Sequence, residues 1–215
     1  PVPDTISSGP WILSGPFGIG LTATAPSRAA RGCDSLVGGS PVAVNPAAGE
    51  IYWSSWGDDP LIEKAALDGT GRVPFVRDVG RTSGLTVDFK DGRLYWTDID
   101  RLTITYASLA NPSLQKTILS SFLQPYGLSL YGANVYWTDW ESKTIERANK
   151  HNGSDRVIVQ SNVDNVMDIL VYHKSLQDGW NQCGVDNGGC TDLCLFSGGQ
   201  TRCACASHYK FVAGR

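Results

Sequence analysis

A Tyr-Trp motif that returns at a fixed spacing limits the possible folds more than any other feature of the chain. Tyr52-Trp53-Ser54-Ser55, Tyr95-Trp96-Thr97-Asp98 and Tyr136-Trp137-Thr138-Asp139 start 43 and 41 residues apart, the length of one propeller blade. The surroundings repeat in phase. Pro41-Val42-Ala43-Val44-Asn45, Gly84-Leu85-Thr86-Val87-Asp88 and Gly127-Leu128-Ser129-Leu130 precede the three motifs. Ile62-Glu63-Lys64-Ala65, Ile104-Thr105-Tyr106-Ala107 and Ile145-Glu146-Arg147-Ala148 follow them. Each unit reads as four short strands, A to D, the last being a run such as Lys116-Thr117-Ile118-Leu119 or Arg156-Val157-Ile158-Val159. Asp68-Gly69, Asp91-Gly92 and Asn152-Gly153 supply turns between strands. Side chains alternate along a strand, yet both faces of the second strand carry groups suited to burial. That pattern fits a sheet held between neighbouring sheets.

Composition agrees. Seven Trp, eight Tyr and 24 Gly beside one Met in 215 residues favour short strands and turns, so the chain is expected to be all-β. Its 41% hydrophobic content is enough for a packed core. With 18 Lys+Arg against 21 Asp+Glu and no basic run, nucleic acid has no electrostatic footprint to bind. No apolar stretch approaches the ~20 residues of a spanning helix, so a membrane is reached only through a segment absent from this sequence. Pro1 opens the chain with no Met and no basic start to a signal peptide, which reads as an internal fragment. Residues 1–40 are rich in Pro, Gly, Ser and Ala, fall outside the period and are expected to be loose.

Cys183, Cys190, Cys194, Cys203 and Cys205 crowd into 23 residues with the spacing of an EGF-like module, which implies an oxidising compartment. Cys33 stands apart. A zinc site using these thiols and His208 is disfavoured because Cys-x-Cys lacks the usual ligand gap. Calcium is disfavoured because Trp180-Asn181-Gln182 offers no carboxylate before the first cysteine. No metal or cofactor is expected. His151, His173 and His208 are scattered, and no nucleophile elbow, phosphate loop or zinc-protease motif appears, so catalysis is not expected.

YWTD motifs at blade spacing followed by a cysteine module resemble the low-density-lipoprotein-receptor-related family of six-bladed YWTD β-propellers with EGF-like modules, over residues 41–211. More narrowly, Val166-Met167-Asp168-Ile169-Leu170-Val171-Tyr172-His173, then Asp178-Gly179-Trp180-Asn181-Gln182-Cys183, and Cys203-Ala204-Cys205-Ala206-Ser207-His208-Tyr209 look like the end of the third propeller and the third EGF-like module of the Wnt co-receptors. The resemblance implies an all-β, partial propeller of about three of six blades. Residues 41–175 would be the three blades plus a closing strand, and residues 176–215 a disulfide-bonded EGF-like module. It implies the pairs Cys183–Cys194 and Cys190–Cys203, and leaves Cys205 for a sixth cysteine beyond Arg215, so that the module is truncated. Two departures stand out. Ser55 replaces the acid of the family motif, and the blade into which the closing strand would pair lacks its other strands here. Exposed edges and poor autonomous stability are expected.

In a four-stranded meander the B–C and D–A connections emerge at one end, and the A–B and C–D turns at the other. The first end gathers Trp56, Arg81, Asp100, Tyr126, Trp140 and Met167, the composition of a protein-binding hot spot. In the Wnt co-receptors the corresponding positions engage Wnt ligands and Dickkopf-type antagonists, and the resemblance carries that role to these six residues. Each has a plainer reading: Trp56 and Trp140 can pack between blades, Met167 can be core, and Asp100 can be a solvated turn acid. Trp180 is expected to pack the EGF-like module against the propeller. Asn152-Gly153-Ser154 is a glycosylation sequon, whereas proline blocks Asn111-Pro112-Ser113.

The function implied is an extracellular, ligand-binding piece of a cell-surface Wnt co-receptor that acts with a Frizzled-type receptor through the full-length protein. The alternatives are an endocytic lipoprotein-receptor ectodomain, for which His173 is the candidate pH sensor, and an extracellular-matrix propeller.

Overall fold

The computed structural model describes residues 20–22 (backbone), 41–120, 124–164, 166–173 and 180–205. Among these residues there is no α-helix, and no helix is long and apolar enough to cross a membrane. Three four-stranded antiparallel meanders follow one another. The first holds β2 (Val42–Asn45), β3 (Glu50–Ser55), β4 (Leu61–Ala66) and β5 (Val73–Val76). The second holds β6 (Thr82–Asp88), β7 (Arg93–Asp98), β8 (Thr103–Ser108) and β9 (Gln115–Ser120). The third holds β10 (Pro125–Tyr131), β11 (Asn134–Asp139), β12 (Thr144–Asn149) and β13 (Val157–Gln160).

Alternation along the YWTD strand explains how the meanders pack. Tyr52 of the first sheet shares a buried cluster with Leu85, Leu94 and Trp96 of the second. Tyr95 of the second shares one with Leu128, Val135 and Trp137 of the third. Tyr136 of the third packs with Ile169 and Val171. The motif tyrosine therefore faces the following sheet and the motif tryptophan the preceding one. In β7 and β11 every residue after the first is buried. The first strands β2, β6 and β10 run side by side at the inner edge, with β14 (Leu170–Tyr172) beside β10. This is the radial arrangement of propeller blades. Each Leu, Ile or Val lost from water at such a seam contributes about 1.5–3 kcal/mol.

Hydroxyl groups stitch the inner edge. Thr97 Oγ1 accepts from Gly84 N at 2.7 Å within its own blade and donates to Tyr126 O of the next at 3.0 Å. Thr138 Oγ1 does the same with Gly127 N at 2.8 Å and Met167 O at 3.5 Å. The strands approach so closely that a Cβ on Gly127 would lie 2.7 Å from Asp168 Cα, which is why glycine stands there. The first blade departs from this scheme. Ser54 lies opposite Pro41, which has no N–H to give, and Ser54 Oγ is buried without a hydrogen-bond partner.

The inner edge is open at the first blade. Val42 and Val44 are 49% and 41% exposed, whereas Leu85 and Val87 at the same places in the second blade are 7% and 8%. At the other end β14 takes the place of a next inner strand, with Ile169 and Val171 buried. It pairs antiparallel with β1 (Gly20–Thr22). The expectation that residues 1–40 are loose falls on residues of which only Gly20–Thr22 are described, and the others, with Cys33, lie outside the described residues.

The cysteine module carries disulfides Cys183–Cys194 and Cys190–Cys203 and a hairpin of β15 (Leu193–Ser197) and β16 (Gln200–Ala204), while Cys205 is a free thiol. It docks on the A–B and C–D turns of the first blade. Asn181 Nδ2 donates to Pro46 O at 2.8 Å, Arg202 Nε lies 3.2 Å from Asp68 Oδ2, and Phe196 abuts Gly49. Trp180 is 67% exposed, with its ring on the side of Gly184 in its own module.

Candidate functional site

The face opposite the module is built by the B–C and D–A connections, and the fourth residue of the YWTD motif ties them together. Asp98 accepts from Gly80 N at 2.7 Å on the D–A side, and from Asp100 N and Arg101 N at 3.1 and 2.9 Å on the B–C side. Asp139 likewise accepts from Gln124 N and Ser142 N, both at 2.9 Å. Each aspartate is a buried carboxylate satisfied by backbone donors, and it fixes the loops that carry the candidate residues.

Those residues fall into contacting groups. Arg81 holds Asp100 through its backbone N–H at 2.8 Å and through Nε and NH2 at 2.9 and 2.6 Å. The guanidinium bond, and secondarily the backbone N–H, keep the Asp100 carboxyl below the usual carboxylate range. Both groups are exposed, so the pair adds little stability; its effect is to orient the guanidinium. Trp56, in the blade where Ser55 replaces the acid, donates Nε1–H to Thr82 O at 2.7 Å, one residue from Arg81. Its indole therefore takes over part of the loop bracing that Asp98 and Asp139 give elsewhere.

Tyr126 and Trp140 form the second group. Their rings meet edge to face with centroids 5.8 Å apart, and Trp140 N donates to Gln124 O at 3.2 Å. Trp140 remains 54% exposed. An aromatic held in a defined pose with half its surface in water has the character of an interface anchor. Met167 joins this group through the backbone: Thr138 Oγ1 bridges Gly127 N, next to Tyr126, and Met167 O. Arg101 pairs with Asp78 at 2.7 Å and Lys143 with Asp164 at 2.7 Å, while Asp58, Asp59 and Glu141 stand exposed around them. The face thus offers aromatic edges inside an ionic, predominantly acidic rim. Its charged groups are arranged as pairs and caps.

Two structural devices escape a reading of the sequence. Arg72 lies over the Trp53 ring and bonds Glu63 at 2.9 and 2.7 Å; Arg156 lies over Trp137 and bonds Glu146 at 2.6 and 3.1 Å. The glutamate of the repeated Ile-Glu-x-Ala run was the available signal. In the second blade Thr105 and Thr117 replace the ion pair, with hydroxyls 3.0 Å apart. At the opposite face Lys150 of the third blade, 5% exposed, contacts Asp88 at 2.5 Å and Asp91 at 3.0 Å in the second. Burial pulls the Lys150 pKa down, but the bonds to the two carboxylates outweigh it and raise it overall. The Lys150 bond holds Asp91 below the usual range.

Comparison with known proteins agrees with this architecture. Residues 133–173 match the low-density lipoprotein receptor repeat class B family. Over 154 residues the chain is 46% identical to low-density lipoprotein receptor-related protein 5 of Homo sapiens, covering 72% of this chain and 10% of that protein. It is 40% identical over 122 residues to low-density lipoprotein receptor-related protein 4 of Homo sapiens, covering 57% of this chain and 6% of that one. The chain thus spans about a tenth or less of the length of these relatives. Among solved structures, a chain of a nidogen/laminin complex superposes with a TM-score of 0.55 at 25% identity, over 61% of this chain and 51% of that chain.

Proposed function

We propose that this chain, which belongs to the low-density lipoprotein receptor-related family, is an extracellular ligand-binding part of a Wnt co-receptor, without catalytic activity. Residues 41–175 would form its propeller portion and residues 176–215 its EGF-like portion. The Tyr126–Trp140 pair beside the Arg81–Asp100 pair, on the face away from the EGF-like module, is the observation that supports the reading. Trp140 and Tyr126 supply the anchor, Arg81 and Asp100 an oriented charge pair, Met167 an adaptable apolar edge, and Trp56 the brace of the neighbouring loop. The occupants would be secreted proteins, Wnt ligands or Dickkopf-type antagonists, with a Frizzled-type receptor engaged through the full-length protein at the cell surface.

Titration of the chain with a Dickkopf-type antagonist tests this. Trp140→Ala and Tyr126→Ala should each cost about 2 kcal/mol or more, about thirtyfold in affinity, with an unchanged circular-dichroism spectrum. Full affinity in both folded variants removes the face from the account. The likeness to a chain of a nidogen/laminin complex favours a second reading, a matrix-adhesion propeller. Binding to laminin with no binding to a Wnt or Dickkopf-type protein would select it.

A further inference from the structure

The sequon Asn152-Gly153-Ser154 sits in the C–D turn of the third blade, clamped on both sides to β9 of the second. On one side Lys116 Nζ donates to His151 O at 2.9 Å. On the other, Gly153 at φ +72 lies directly against Ile118 O, leaving no room for a Cβ. Between these clamps Asn152 is exposed; its Oδ1 accepts from Ser154 N at 3.0 Å and its Nδ2 points to no protein acceptor among the described residues.

Next to the turn, on the second blade, lies a half-open cleft of about 370 Å³ lined by Asp91, Arg93, Tyr106, Ser108, Leu114, Gln115 and Lys116; Arg93 reaches His151 of the third blade at 2.8 Å. Its size falls at the low end of the ~300–1,000 Å³ of small-molecule sites. Lys116 belongs both to the cleft and to the clamp on the sequon, so the cleft begins where Asn152 stands. Leu114 on its wall is 62% exposed, an apolar side chain with nothing covering it among the described residues.

We propose that Asn152 carries an N-linked glycan whose N-acetylglucosamine core seats in this cleft and spans the seam between the second and third blades. Transfer is from a lipid-diphosphate-linked oligosaccharide in the secretory pathway. The Asn152 Nδ2–C1 bond forms as the C1–O bond to the diphosphate breaks, one amide proton is released and the lipid diphosphate leaves. Gln115, Lys116 and Asp91 offer donors and acceptors to sugar hydroxyls and the acetamido group, and Leu114 offers a surface for its methyl and the apolar face of the ring. The glycan lies on the face away from Trp140 and Tyr126, so it strengthens the seam while leaving the docking face clear.

This inference rests on the extracellular location proposed above but not on the ligand face, and its test needs no ligand. The chain is secreted from eukaryotic cells behind a cleavable leader, alongside Ser154→Ala, which keeps Asn152 but lacks the sequon. Intact mass before and after amidase release under denaturing conditions should show a glycan on the unmodified chain and none on S154A. Under native conditions the amidase should release the glycan about tenfold more slowly from the unmodified chain than from Leu114→Asp or Gln115→Ala, a tenfold docking preference equivalent to about 1.4 kcal/mol. A chain that leaves the cell without carbohydrate at Asn152 overturns the site. Equal native release from the unmodified chain and both variants overturns the docking.

Discussion

Replacing the motif threonine by valine in one blade should destabilise the fold, whereas replacing the matching serine by alanine in another should not. Thr97 is fully buried. Its hydroxyl satisfies Gly84 N–H at 2.7 Å and donates to Tyr126 O at 3.0 Å. Valine fills nearly the same volume, so Thr97→Val opens no cavity. It leaves a buried N–H with no acceptor, at about 1–3 kcal/mol, and removes a further bond worth about 0.5–1.5 kcal/mol. Ser83 Oγ still donates to Tyr126 O at 2.9 Å, which limits the second loss. The total is about 2–4 kcal/mol. Ser54 occupies the same motif position in the first blade, but its hydroxyl is buried without a partner because Pro41 stands where Gly84 and Gly127 stand. Ser54→Ala removes a desolvated, unsatisfied group and should be neutral or stabilising by up to about 1 kcal/mol. Urea denaturation followed by tryptophan fluorescence, compared at constant m, reads both changes. A Thr97→Val loss below about 0.5 kcal/mol, or a Ser54→Ala loss above 1 kcal/mol, refutes the view that these hydroxyls stitch the inner edge.

Lys150→Met leaves Asp88 and Asp91 as neighbouring carboxylates with no cation between them, and should destabilise by about 3–5 kcal/mol. The sign with pH follows from Asp91, whose pKa is depressed chiefly by its bond to Lys150. Its stabilising contribution is present above the ordinary aspartate value, ~3.9, and is lost as the pH falls through the lowered one. The gap between wild type and K150M, measured by thermal melts from neutral pH down to pH ~3, should therefore narrow on acidification; a constant gap contradicts the seam. Gly127→Ala drives a Cβ to 2.7 Å from Asp168 Cα and Ile169 N, so it should cost about 1–3 kcal/mol in the same melts, whereas Gly132→Ala, with open space around it, should cost only the strain of its φ of +58.

The parts of the fold written in local, repeated residues were legible from the sequence. Motif phase placed the first three strands of every blade and the fourth of the second and third, because a blade is a short meander whose side chains alternate with period two, and the same topology sorted the loops onto two faces. The candidate site was legible in position but not in coupling. Nothing in the local sequence shows that Trp56 donates to Thr82 O, since that contact joins residues 26 apart, nor that Arg81 reaches Asp100 while Asp98 turns to the backbone. The Lys150–Asp88 contact spans 62 residues and exists only because the third blade's C–D turn lands beside the second blade's A–B turn. The strand at Gly20–Thr22 lies in a segment with no periodic signal. The docking of the cysteine module through Asn181, Phe196 and Arg202 is likewise not legible, because it joins residues more than 130 apart in sequence.

Hydroxyl-radical footprinting of the chain, with and without a bound Dickkopf-type antagonist, tests the central claim most directly, because aromatic side chains report their own solvent access. Trp140 and Tyr126, on the rim built by the B–C and D–A connections, should become protected, while Phe89 and Trp180, exposed on the other face and its module, should oxidise as before. Protection of Phe89 or Trp180 with Trp140 unchanged would place the ligand on the opposite end of the blades and contradict the account.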